Sequence, residues 1–150
     1  MFLAYRVPRE PSTPRIALWR RLRRLGAVQV IDGVAALPLD PRTREQFEWL
    51  ADEVADAGGE ASIWLAETAT AAQERQLIKQ LTAARAEEYR ALIDAAAEAA
   101  AARPGQRRRS VARLRRELHR VRARDYFAAP EAGRAARAIE ALGAVVEASA

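Results

Sequence analysis

The sequence contains no cysteine and a single histidine, His119, and these two shortages exclude several kinds of site. Without thiols there is no disulfide, no thiolate metal ligand and no cysteine redox centre. One imidazole with few carboxylates near it in the sequence does not make a metal site. Because the sequence also lacks a glycine-rich phosphate loop, a nucleophile elbow and a kinase motif, we expect no enzyme activity and no resident cofactor.

Long apolar runs are missing as well. No stretch approaches the ~20 apolar residues that cross a bilayer. The N-terminus lacks the basic segment that precedes the apolar part of a signal peptide. We therefore expect no membrane partner and a cytoplasmic location.

Lysine is nearly absent, since Lys79 is the only one, whereas arginine occurs 24 times and alanine 36 times. Alanine favours helix but contributes little apolar area to a core. Because a GC-rich genome enriches alanine and arginine together, the positions of the arginines are more informative than their number.

The positive charge is concentrated in one segment. Residues 1–66 have a net charge of zero, whereas residues 103–125 carry ten arginines against Glu117 and Asp125, a net charge of +8. One interpretation is a solvated face of an arginine-rich protein, but mutual repulsion would then cost stability without a partner. The other is a polyanion site, with duplex DNA as the leading partner and RNA left open. The arginines expected to contact phosphates are Arg107, Arg108, Arg109, Arg113, Arg116, Arg120 and Arg124.

The first 67 residues alternate between strand and helix patterns in the order β-α-β-β-α-β, which predicts a ferredoxin-like antiparallel sheet with both helices on one face. Asp32-Gly33 lies between two short apolar runs and predicts a tight hairpin with positive φ at both turn positions. We expect Trp19, Trp49 and Trp64 to be buried between the helices and the sheet.

Only helix patterns follow, so the predicted class is α+β, with a ferredoxin-like domain over 1–67 and an extended helical region over 68–150. That region is predicted to comprise a long helix 70–102, a hinge 103–109 at Pro104-Gly105, a basic helix 110–125 and a terminal helix 130–148. Val111, Leu114, Leu118 and Val121 form a narrow apolar seam on the basic helix. Because the long helix has little apolar surface, we expect it to fold back over the sheet or to form a homodimer.

A second candidate site surrounds the start of the first helix. Free backbone N–H groups there, with nearby hydroxyl and guanidinium groups, could bind a tetrahedral oxyanion such as chromate, sulfate or phosphate. The residues of this site are Arg6, Arg9, Ser12, Thr13 and Arg15. The alternative interpretation is an ordinary helix start capped by Ser12, and the sequence favours this simpler one.

Several short motifs carry a family resemblance. They are Tyr5-Arg6-Val7-Pro8, then Pro11-Ser12-Thr13-Pro14-Arg15, Trp19-Arg20, and Arg23 with Leu25 and Gly26. Residues 3–67 resemble the N-terminal domain of the ChrB family of chromate-resistance regulatory proteins, and the resemblance extends more loosely through Arg124-Asp125-Tyr126-Phe127. It implies a regulator of a chromate-efflux operon that responds to the oxyanion and acts at DNA, with a further C-terminal domain in full-length members.

The same segment is more distantly similar to the middle domain of the repressor PaaX and to small ferredoxin-like nucleases of CRISPR adaptation. Those nucleases hold a metal with an aspartate near the end of the first strand, where this sequence has Arg6. An arginine cannot ligate a divalent cation, so a metal-dependent nuclease is the third choice. The leading hypothesis is a DNA-binding regulator, and the alternative is a non-enzymatic module that docks an acidic protein surface or a separate C-terminal partner.

Overall fold

A computed structural model describes residues 1–148 of the chain. The elements are β1 (Phe2–Arg6), α1 (Thr13–Leu25), β2 (Val28–Ile31), β3 (Val34–Ala36), α2 (Pro41–Asp56), β4 (Glu60–Trp64), α3 (Ala71–Ala100), α4 (Pro104–Arg122) and α5 (Ala132–Ala148). The α+β class is confirmed, because a four-stranded sheet is followed by helices alone within the described residues. The chain divides within α3 into two compact units, Met1–Leu81 and the residues from Thr82 onward.

The sheet of the first unit has the strand order β2-β3-β1-β4, and every neighbouring pair is antiparallel. β1 lies in the middle, where Leu3 is paired with Ala35 of β3 and Ile63 of β4. α2 packs on β1 and β4, and α1 packs on α2. The buried side chains that these elements contribute are Leu3, Leu18, Leu22, Phe47, Leu50 and Val54.

The hairpin predicted at Asp32-Gly33 is present, but its turn differs from the expected one. Gly33 has φ +76°, whereas Asp32 has no positive φ, so the expectation for Asp32 is wrong. The pairing of β2 with β3 shifts between Gln29 and Ile31, and such a bulge supplies the strand twist that two left-handed turn residues would give. A Cβ on Gly33 would lie 2.7 Å from the carbonyl oxygen of Tyr5, so glycine is required there.

The three tryptophans are exposed, and the expectation that they are buried is wrong. Trp19 is 50% exposed, Trp49 58% and Trp64 59%. In α1 and α2 the inward positions are taken by leucines such as Leu18 and Leu50. Because a neighbour one residue along a helix points about 100° away, the adjoining Trp19 and Trp49 are turned toward the surface. In β4 the side chains alternate, so Trp64 lies on the face opposite to Ile63, and its indole N–H donates to the Ser62 hydroxyl at 2.9 Å.

The second unit is built from α3 beyond Thr82, α4 and α5, which bury a common apolar core. The core residues are Tyr89, Leu92, Ala96 and Ala99 of α3, Val111, Leu114, Leu118 and Val121 of α4, Ala129, and Ala135, Ile139 and Leu142 of α5. Residues 104–109, which the sequence analysis assigned to a hinge, are the first turns of α4. Pro104 opens that helix after an extended Arg103, because a proline at the first helical position loses no hydrogen bond.

Two valines of the second unit provide a matched test of this core. Val121→Ala removes a side chain that is 1% exposed, and we expect it to lower the free energy of unfolding by about 2 kcal/mol, from lost burial and the cavity left behind. Val145→Ala changes a side chain that is 44% exposed and should stay within about 0.5 kcal/mol of the unsubstituted chain. Urea denaturation followed by circular dichroism measures both, and equal effects of the two substitutions would contradict the packing described.

Candidate nucleic-acid interface

The orientation of α4 is set by its apolar seam. Val111, Leu114, Leu118 and Val121 recur at helical spacing and are all buried. They belong to the same core as Tyr89 of α3 and Ile139 and Leu142 of α5. Burial of the seam turns the opposite side of α4 toward solvent.

Four exposed arginines share that opposite side, and we call them the arginine stripe: Arg109, Arg113, Arg116 and Arg120. Their spacing of four, three and four residues places them in one narrow sector of the helix, with Cβ atoms of neighbours about 5–6 Å apart. Over eleven residues the stripe extends about 16 Å along the axis. The predicted surface of exposed arginines is therefore present for these four candidates.

The arginine stripe has little internal charge compensation. Nη1 of Arg120 lies 3.2 Å from a carboxylate oxygen of Glu117, in an exposed pair one turn apart. Such surface pairs contribute about 0–1 kcal/mol. Within residues 1–148, Arg109, Arg113 and Arg116 make no ion pair and no side-chain hydrogen bond. Three guanidinium groups are thus left available to an anionic partner.

Further arginines flank the stripe on α4. Arg108 and Arg115 are exposed, as is His119. Arg115 lies against α5, because a Cβ added to Gly143 would stand 2.9 Å from its Nη2 atom. This contact directs Arg115 toward α5 rather than toward the stripe. Arg108 lies on the same side of α4 and, with Arg115, borders a depression lined by Gly143 and Val146 of α5.

Arg107 does not join the stripe, although the sequence places it among the phosphate-contacting candidates. It lies on the same side of α4 as the apolar seam and is half-buried. Its Nη2 donates to the carbonyl oxygen of Ala102 at 3.1 Å, and its Nε is buried without a partner. Arg107 therefore satisfies a carbonyl that follows the end of α3, which is a structural contact.

Arg124, the last of the seven candidates, also points inward. It follows the end of α4, and its side chain is 20% exposed and paired through Nη2 with the carboxylate of Glu88 on α3. The other oxygen of Glu88 accepts from Nη2 of Arg85 at 2.9 Å. Arg124 thus ties the segment after α4 to α3 and does not join the exposed row of arginines on α4.

A buried polar network surrounds that ion pair. The hydroxyl of Tyr89, which is fully buried, donates to Oδ2 of Asp125 at 3.0 Å. The same carboxylate accepts from the backbone N–H of Ala129 at 3.0 Å. Burial, together with the hydrogen bond to Asp125, raises the pKa of Tyr89 to about 12. Burial also favours the neutral form of Arg85 and so lowers its pKa, although the nearby carboxylate of Glu88 opposes that change.

Sequence patterns did not reveal this network. Asp125 enters only the charge count of the basic segment, and helical spacing does not connect it with Glu88 or Tyr89. The motif Arg124-Asp125-Tyr126-Phe127, noted in the looser part of the family resemblance, was the available indication. Its partners lie 36 residues earlier in the chain, a separation that helical periodicity does not reveal.

The five residues proposed for an oxyanion are not drawn together. Arg6 pairs with Glu60 at 2.9 Å, so a carboxylate stands where an anion would bind. Ser12 makes no side-chain cap hydrogen bond, because its φ of −73° and ψ of −16° are helical rather than extended. Within the described chain no hydrogen bond or ion pair joins any two of Arg6, Arg9, Ser12, Thr13 and Arg15. The geometry therefore adds no support to this candidate site.

Two other kinds of feature are absent from residues 1–148. No group of three or more histidine, aspartate or glutamate side chains is arranged to hold a metal ion. None of the helices in that range combines the length and the apolar character needed to cross a membrane.

The fold and the cationic helix define the class of protein: a β-α-β-β-α-β unit followed by a three-helix unit that exposes a row of arginines. The family model described as "Protein ChrB, N-terminal" matches residues 15–103, more than half of the chain. The chain belongs to this family. The resemblance to the ChrB family, stated for residues 3–67, is thereby confirmed, and the matched residues begin at Arg15 and extend to Arg103.

A curated relative supports the same assignment. The protein named "Protein ChrB" from Cupriavidus metallidurans is 30% identical over 98 residues, which cover 65% of this chain and 26% of the relative. The chain therefore spans about a quarter of that relative's length. No solved structure matches the chain.

The family match covers the N-terminal part of the chain but neither α4 nor α5. It ends at Arg103, immediately before α4 begins at Pro104. The matched residues consequently include most of α1 and all of α2 and α3, whereas the arginine stripe lies outside them. Any function of the stripe is argued from its own geometry.

The Tyr89–Asp125 bond predicts a distinct alkaline titration. Folding raises the Tyr89 pKa from its ordinary value near 10 to about 12, so the neutral phenol is favoured in the folded chain. Its contribution to stability is complete below about pH 10 and is lost as the pH rises toward 12. Ultraviolet absorbance of tyrosinate should show the Tyr89 phenol ionising late, and Tyr89→Phe should remove that step. A late step that persists in the Tyr89→Phe variant would contradict the assignment.

Proposed function

We propose that this protein is a non-enzymatic, DNA-binding transcriptional regulator linked to resistance to chromate or a related oxyanion. The arginine stripe would contact the phosphate backbone of duplex DNA. The observation that carries this proposal is the row of four exposed arginines on one sector of α4, three of which make no ion pair within residues 1–148.

Phosphate is the partner that suits this arrangement chemically. Each guanidinium offers a planar fork of N–H donors that matches phosphate oxygens, and each neutralised phosphate releases bound counterions. Arginines three and four residues apart also repel each other on a free helix, by a few tenths of a kcal/mol for each pair. A polyanion laid along α4 would relieve that repulsion while gaining several contacts at once.

The proposed link to chromate comes from the family rather than from the stripe. Residues 15–103 belong to the family described as "Protein ChrB, N-terminal", and the resemblance of the first 67 residues implies a regulator of a chromate-efflux operon. We assign the oxyanion response to the protein as a whole, since the five candidate residues around Ser12 do not converge.

The stripe supports backbone contact more directly than base recognition. Contacts to phosphates fix the register and orientation of a protein on DNA but carry no sequence information. We therefore expect a large electrostatic component in the affinity, common to all duplexes, on which any operator preference is superimposed.

A pair of double variants on the second unit tests the stripe. Arg113→Gln with Arg116→Gln removes two of its charges, whereas Arg134→Gln with Arg137→Gln removes two exposed charges from α5. In mobility-shift titrations over a series of salt concentrations, the first variant should bind duplex DNA at least ~10-fold more weakly. Its plot of log affinity against log salt should be shallower by about 2, because two phosphate contacts are lost.

The control variant should keep the affinity and slope of the unsubstituted chain to within a small electrostatic change. Replacing Arg113 and Arg116 by lysine should retain most of the binding, since the charge is kept. Equal losses in the two glutamine variants would show that net charge alone matters. Absence of any shift at low salt would overturn DNA binding and leave docking to an acidic protein surface as the function of the stripe.

A further inference from the structure

The two helices of the first unit carry opposite charges on their outer faces. Four acidic residues of α2 are exposed at helical spacing beside an exposed Trp49: Glu45, Glu48, Asp52 and Asp56. They lie on the side of α2 opposite to its buried residues Phe47, Leu50 and Val54. Glu48 is paired within the helix to Arg44 at 3.0 Å, and the other three extend the negative face.

The outer face of α1 is positive and partly apolar. Ile16 and Trp19 are exposed there, opposite the inward positions of Leu18 and Leu22, and are interleaved with Arg20 and Arg23. The guanidinium of Arg23 lies over the Trp19 ring, 4.8 Å from its centre. An aromatic ring held by an arginine on an exposed surface is typical of the residues that dominate protein–protein interfaces.

The charges on these two faces are only partly neutralised within the unit. Arg21 of α1 and Glu53 of α2 form an ion pair at 2.9 Å where the helices meet. Within residues 1–148, Arg20 and Arg23 of α1 make no ion pair. The same is true of three of the outer acids of α2, namely Glu45, Asp52 and Asp56. These outer charges of α1 and α2 do not pair with each other within one chain. They could therefore neutralise each other only if α1 of one molecule met α2 of a second.

We propose that the outer faces of α1 and α2 together form a homodimer interface, in which α1 of one copy packs on α2 of the other. Charge complementarity selects this occupant, because one chain supplies both a positive and a negative face. Exposed Ile16, Trp19 and Trp49 would provide the apolar centre of the interface, with the charged residues around it.

The symmetry of the dimer follows from the same charges. Since α1 and α2 lie side by side, a two-fold axis parallel to the helices places each α1 on the partner's α2. A two-fold axis across the helices would instead place α1 on α1 and α2 on α2, with like charges in contact. The first arrangement is therefore favoured, and it contains two equivalent contacts between opposite charges.

A nucleic acid is a poorer occupant of this surface. Arg20, Arg23 and Trp19 would suit a phosphate backbone with stacked bases, but the acids of α2 lie beside them and repel phosphate. Charge reversal separates the two cases, because it would leave the molar mass unchanged if this surface bound a nucleic acid instead of a second copy.

Charge reversal on each helix tests the proposal in the full chain. Arg20→Glu with Arg23→Glu makes α1 acidic, and Glu45→Arg with Asp52→Arg makes α2 basic. All four side chains are exposed, and circular dichroism checks that each variant is folded. Analytical ultracentrifugation should find the unsubstituted chain as a dimer and each double variant as a monomer, with dimer affinity reduced at least ~10-fold.

Rescue by complementation makes the result specific to this interface. In a mixture of the two double variants, both α1–α2 contacts again join opposite charges, so a heterodimer should form. A single chain that carries all four substitutions should dimerise with itself for the same reason. The Arg113→Gln, Arg116→Gln variant should remain a dimer, which keeps this test independent of the DNA-binding test.

Three results would overturn the inference. The first is an unsubstituted chain that remains monomeric at concentrations of tens of micromolar. The second is a dimer that survives both charge reversals, since its interface would then lie elsewhere. The third is a mixture of the two double variants that stays monomeric.

Discussion

Burial of the α4 seam is the constraint on which the proposed interface depends. Once Val111, Leu114, Leu118 and Val121 face Tyr89 and Ile139, the rotation of the helix about its axis is fixed. The arginine stripe then faces outward as a geometric consequence, while Arg107 is placed on the inner side and reaches the carbonyl of Ala102. The same apolar contacts that stabilise the second unit therefore sort its arginines into exposed and structural groups.

The polar network holds the segment that follows α4 onto α3. Two guanidinium groups, of Arg85 and Arg124, share the carboxylate of Glu88, and Tyr89 contacts Asp125 beside them. Breaking one member of such a buried set leaves its partner charged and unpaired, which costs several kcal/mol. Arg124 is consequently unavailable to DNA, although its position in the sequence continues the basic segment.

The sequence was sufficient for features that depend on local periodicity. The order β-α-β-β-α-β, the hairpin at Gly33 and the seam of α4 follow from alternation, turn chemistry and helical spacing. Features that depend on contacts between distant elements were not predictable in this way. The pairing of Arg124 with Glu88 is one example, and the exposure of Trp19 is another, since hydrophobicity alone does not show that Leu18 takes the inward position.

The most direct test of the central claim is a modification map of the arginines with and without duplex DNA. Phenylglyoxal labelling read by mass spectrometry reports each guanidinium separately. We predict that Arg109, Arg113, Arg116 and Arg120 react in the free protein and are protected in the complex, while Arg134 and Arg137 react equally in both. Equal labelling of the stripe with and without DNA would contradict the proposed interface.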